Sequence, residues 1–259
     1  LSMFYHADTE EELSSLRAYL LNRKSGCRDD MIDRWIAMVA TNRLTGHSKG
    51  FFSVYTLPPN QAVSAKSQQR INLRRRQEPE YRDTCRIILN KTKSLLRTLS
   101  EADKKNLVRA GKKAVLLTRD ARDTPEIGND SVRLTVTSPP FLDIVQYRQD
   151  NWLRCWFNGL DAEALNGQIT MARTIEEWVR VMGAVFAELY RITSPGGFVA
   201  FEVGEVRKRT IRLEEHVVPL GIAAGFGCPY IIINQQHFTK TSNIWGVENM
   251  ASGTNTNRI

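Results

Sequence analysis

The sequence predicts an α/β fold: a mostly parallel sheet preceded by a mainly helical N-terminal part. Two observations predict it. After residue 113, short apolar runs at 114–117, 132–136, 198–203 and 230–233 alternate with helix-spaced segments, the pattern of βαβ units whose sheet is covered on both faces. Before that point the apolar residues recur at helical spacing, basic residues crowd together, and one extended run stands out. The boundary falls near residue 110, giving a helical, basic segment over 1–110 and an α/β part over 111–259.

Taken in order, Thr9 and Glu12 form the ends of a capping box, so Leu13, Leu16, Leu20 and Leu21 line one face of a helix over 10–22. Asp29 or Asp30 opens a second helix carrying Trp35, Ile36 and Val39, with Gly46 just past its end. Phe51 to Tyr55 reads as a short strand or extended segment, stopped by Pro58-Pro59. A polar, basic stretch over 61–77 ends in Arg74-Arg75-Arg76, and 80–99 reads as a helix. In the α/β part, helices are expected near 146–159, 174–193 and 211–224. On the first of these, Trp152, Trp156 and Phe157 read as core residues.

The composition is that of an ordinary globular protein, with 42% hydrophobic and 25% charged residues. No apolar run approaches the ~18 residues that cross a bilayer, so no membrane partner is expected. Four scattered cysteines form no CxxC pair, and the four histidines show no metal-ligand spacing. No metal site is expected, and a reducing, cytoplasmic setting fits. The net charge of +8 favours a polyanionic partner, nucleic acid first. Basic residues are dense from Lys66 to Lys113; they suit phosphate contacts, or equally a pair of solvated helices. The chain begins without Met and ends at Ile259 inside a strand-like run, which reads as a fragment or a trimmed chain.

The chemistry centres on Thr137-Ser138-Pro139-Pro140-Phe141. It follows the 132–136 strand directly, and ligands of open α/β sheets bind outside the carboxyl ends of strands. Two prolines stiffen the loop and remove two donors. The carbonyls of Ser138 and Pro139 remain as acceptors, and Phe141 adds a flat ring. Two acceptors holding the hydrogens of an exocyclic amine favour a pyramidal nitrogen with its lone pair free. The base must first leave the duplex to reach such a pocket. Catalysis is then mostly positioning and electrostatics.

At these residues the chain resembles the DNA N4-cytosine/N6-adenine amino-methyltransferase family, whose signature is (D/N/S)-P-P-(Y/F/W). Asp143 to Trp156, Leu189 to Gly197, Phe201 to Glu205 and Phe238 to Ile259 also look like family segments. The resemblance implies a Rossmann-like methyltransferase sheet, incomplete here. It implies S-adenosylmethionine as cofactor and double-stranded DNA as partner. Serine at the first motif position implies cytosine N4 more often than adenine N6. Ser138, Pro139, Pro140 and Phe141 are the implied catalytic set, and restriction-modification is the implied setting.

The same resemblance makes Asp120, Thr137, Glu202 and Gly204 candidates for cofactor binding, with a surface turn as the competing reading of Asp120. Arg74, Arg75 and Arg76 are candidates for DNA contact, as are Phe238 and Trp245 beside the base. One family part is missing: no strand leads into an acidic residue and a Gly-x-Gly loop. Gly221 to Gly227 reads as a helix C-cap. The chain alone is therefore expected to bind cofactor weakly or not at all. The rival functions are adenine N6 methylation, RNA amino-methylation and a non-catalytic DNA-binding remnant.

Overall fold

The computed structural model describes residues 1–56, 63–140, 147–166, 172, 174–204, 212–239 and 252–259. The chain is a mixed α/β protein with a helical part and a short parallel sheet. It divides into two compact units. One comprises residues 1–116 with 146–166, the other 117–145 with 167–259.

The first unit is helical: α1 (Ala7–Ser25), α2 (Met31–Thr41), α3 (Ala65–Arg75), α4 (Thr84–Leu96), α5 (Glu101–Gly111), α6 (Tyr147–Asn158) and α7 (Ala162–Asn166). Its core joins Phe4, Leu13, Val39, Phe52 and Ile88 to Leu153 and Phe157. The unit boundary therefore differs from one near residue 110, because α6 turns its apolar face onto α1 and α2. Trp152 and Trp156 pack against the same core, and the Arg17 guanidinium lies 5.2 Å from the Trp156 ring centroid.

Local chemistry sets the helix ends. Asp30 caps α2 in a full capping box with Asp33. At α1 the expected cap is corrected. His6 is the N-cap, accepting from the Asp8 amide, and Thr9 lies inside the helix, fully buried. Its hydroxyl oxygen donates to the Arg82 carbonyl at 3.0 Å and accepts from the Arg82 amide at 2.8 Å. A tertiary partner replaces the local cap. Phe51 to Tyr55 forms no strand; a lone bridge joins Gly46 to Tyr55.

The second unit holds β1 (Val132–Thr137), α8 (Ile175–Ile192), β2 (Thr193–Phe201), β3 (Val203–Gly204), α9 (Glu214–Ala224), β4 (Ile233–Thr239) and β5 (Ser252–Arg258). β1 and β2 pair in parallel, with Leu134 opposite Phe198 and Thr137 opposite Phe201. β5 runs antiparallel between β3 and β4. One sheet face is covered: Phe186 of α8 meets Phe201 at a centroid distance of 4.8 Å, and Val217 of α9 joins that core.

Three expectations change here. Residues 114–117 form no strand; they lack a backbone partner in the sheet, and Leu116 is 93% exposed. The 230–233 run enters a strand only at Ile233, where pairing with β5 begins; Ile232 adds a reciprocal pair of hydrogen bonds with Ile259. Among the described residues the second face of the parallel pair is uncovered, leaving Leu134 59%, Val136 75% and Phe198 63% exposed. No helix among those residues is long and apolar enough to cross a membrane.

Candidate active site

Ser138, Pro139 and Pro140 leave the carboxyl end of β1 as expected. The turn is held from both sides. The Glu202 amide donates to the Thr137 carbonyl at 2.8 Å, fixing the last rung between β1 and the segment after β2. The indole N–H of Trp178, from the first turn of α8, donates to the Pro140 carbonyl at 3.0 Å. Trp178 is itself buried, and Thr174 caps α8 just before it, so the donor comes from a rigid element. Trp178 is a residue that sequence reasoning did not single out, because its bond to Pro140 is non-local.

Between these anchors Ser138 is exposed and Pro139 buried. Among the described residues no donor reaches the carbonyl oxygens of Ser138 and Pro139. Among the described residues the turn thus presents two carbonyl acceptors without a donor, and a hydroxyl. The apolar cavity of this unit, about 720 Å³ between β2, α9 and residues 226–232, has none of these turn residues in its wall.

The structure brings some candidates together and separates others. Thr137, Glu202 and Gly204 gather at the ends of β1, β2 and β3. Asp120 does not join them. Its loop is anchored at the other end of the strands, where Thr124, Ile127 and Asn129 bind Arg191 at the end of α8. Asp120 pairs with Arg122 instead, and that hydrogen-bonded contact holds its carboxyl below the usual range. The surface-turn reading of Asp120 fits this position.

Arg74, Arg75 and Arg76 lie exposed at the end of α3, with Arg75 stacked 3.7 Å from the Tyr55 ring centroid. Phe238 stands in β4 opposite Gly253. Phe141 and Trp245 lie outside the described residues. Gly225 caps α9 at φ 112°, so the glycine cluster is a helix terminus.

No family model matches the chain, and no curated protein does. Among solved structures it is similar to two of a Thermus thermophilus protein named "Putative DNA Modification Methylase". One is a selenomethionine derivative and the other is complexed with S-adenosyl-L-methionine. Each is 18% identical over 54% of this chain, with a TM-score of 0.28. They are covered over 50% and 53% of their lengths. The chain therefore spans about half the length of the solved chains it matches. A superposition this loose carries no weight on substrate or cofactor.

The fit to S-adenosylmethionine rests on the residues themselves, and it is partial. Thr137, Glu202 and Gly204 stand together at the strand ends. The described residues contain no Gly-x-Gly turn after a strand to cradle the cofactor, and Asp120 is elsewhere.

Proposed function

We propose that the turn at 138–140 grips the exocyclic amine of a nucleobase extruded from DNA, for methylation at cytosine N4. The observation that carries the reading is a pair of carbonyl acceptors, without a donor among the described residues, on a turn pinned by Glu202 and Trp178. An amine held through its two hydrogens turns its lone pair outward, and a pre-set backbone does this without reorganisation. S-adenosylmethionine supplies the methyl electrophile of this chemistry. The residues of the chain hold the amine and set its direction. No side chain with a special pKa is required, because the amine proton leaves after methyl transfer.

Serine at position 138 favours cytosine N4, by the family resemblance. The basic charge of +8 favours a nucleic-acid substrate. The test is methyl transfer from labelled S-adenosylmethionine by the full-length protein, with duplex DNA and structured RNA offered separately and the modified base identified. Label on cytosine N4 in DNA, lost in Ser138→Ala, is the expected result. Undiminished transfer by Ser138→Ala removes the Ser138 hydroxyl from the mechanism. Label on adenine N6 or on RNA replaces the substrate.

A further inference from the structure

The helical unit contains a second concave site, of about 680 Å³, at the start of α4. Its wall carries Arg43, Lys49, Arg82, Arg86 and Lys91 against one carboxylate, Glu80. Five cations and one anion sharing a cavity repel one another, which a folded protein tolerates best where an anion is to be bound.

Each cation reaches the cavity for a local reason. Arg43 follows the C-cap of α2, and its guanidinium lies 4.1 Å from the Phe51 ring centroid. Arg82 precedes the cap of α4. The reciprocal bonds between its backbone and Thr9 fix its position. Arg86 and Asn90 stand four residues apart on α4, one above the other on its cavity face, with Lys91 beside them.

Arg82 carries the argument. Its side chain is only 14% exposed. Nη2 stands 3.7 Å from a Glu80 oxygen, too far for a hydrogen bond. Nη1 is buried and has no hydrogen-bond partner among the described residues. A buried guanidinium N–H without an acceptor is costly. Arg82 has Glu80 as its ion-pair partner; Arg43, Lys49, Arg86 and Lys91 have no carboxylate partner among the described residues. Burial lowers the pKa of Arg43.

We infer that this cavity is a phosphoryl-binding pocket, with Arg82 Nη1 as its buried donor and Arg43, Arg86 and Lys91 around the anion. The donor set selects phosphate over carboxylate. Three guanidinium forks and two ammonium groups offer more N–H bonds than one carboxylate accepts. A phosphoryl group offers three or more oxygens and up to two charges. The phosphoryl group belongs to a free phosphorylated solute or to a nucleic-acid backbone; the binding chemistry is shared. The pocket draws on none of the residues of the proposed methyl-transfer turn, and its test reads binding alone.

The test is calorimetric titration of the 259-residue chain with sodium pyrophosphate at low ionic strength. Saturable one-to-one binding is expected. Arg86→Gln, an exposed change on α4, should weaken it roughly tenfold, the effect of losing one charged hydrogen bond. Lys93→Gln, on the same helix but outside the cavity wall, should leave it unchanged. Arg82→Gln should abolish it, with circular dichroism confirming the fold. Absence of saturable binding, or equal weakening in Lys93→Gln, overturns the inference. A duplex oligonucleotide displaced by pyrophosphate identifies backbone phosphate as the source. A duplex left in place while pyrophosphate binds identifies a free solute.

Discussion

The indole nitrogen of Trp178 and the carbonyl oxygen of Pro140 are joined by a hydrogen bond of 3.0 Å, spanning 38 residues of sequence. This bond ties the proline turn to the first turn of α8, so the orientation of its acceptors depends on a helix far away in the chain. Trp178→Phe keeps most of the packing and leaves that carbonyl without its donor. Thermal and denaturant unfolding should show a loss of about 1–3 kcal/mol. Transfer activity should fall without loss of fold.

Ser138 shows the opposite dissociation. Its side chain is exposed and has no hydrogen bond in the fold among the described residues. Ser138→Ala should leave stability within about 0.5 kcal/mol of the parent. Methyl transfer is the property expected to change.

Glu188 links pH to stability. Its carboxylate accepts from Arg191 Nε at 2.7 Å and Nη2 at 2.6 Å, and from the Thr124 amide at 2.7 Å and its hydroxyl. These bonds, the Arg191 pair first, lower its pKa from the ordinary 4.5 to about 2. The folded pKa is depressed, so the stabilisation is fully present above 4.5 and is lost as pH falls towards 2. Acid titration of unfolding should show this loss, and Glu188→Gln should flatten it while lowering stability at pH 7.

Gly225 closes α9 at φ 112°, and a Cβ there would stand 2.6 Å from the Tyr190 ring. Both the left-handed backbone and the ring oppose a side chain. Gly225→Ala should destabilise the protein by about 1–3 kcal/mol, measured by thermal unfolding.

Phe157 tests the assignment of α6 to the helical unit. It is 2% exposed, within the core shared with Leu13, Val39 and Phe52. Phe157→Ala should cost about 3–5 kcal/mol. Hydrogen exchange should show the loss in α1 and α2.

The sequence by itself determined the elements whose signals are local. Proline pairs, apolar alternation and helical spacing placed β1, the 138–140 turn, α8 and β2 within a few residues. A cap at Asp29 or Asp30 and a C-cap within Gly221 to Gly227 were equally legible, because capping and left-handed backbone depend on neighbours in the chain; the structure selects Asp30 and Gly225. Only the tertiary structure decided the rest. Thr9 gives its hydroxyl to Arg82, 73 residues away, instead of to its own helix. Residues 114–117 have strand composition but no strand beside them, and a strand exists only through its pairing. Asp120 stands away from the β1 carboxyl end because its loop is tied to Arg191. The cavity around Arg82 arose where α4 meets the turn after α2. Burial, pairing and charge convergence are non-local, so no window of sequence displays them.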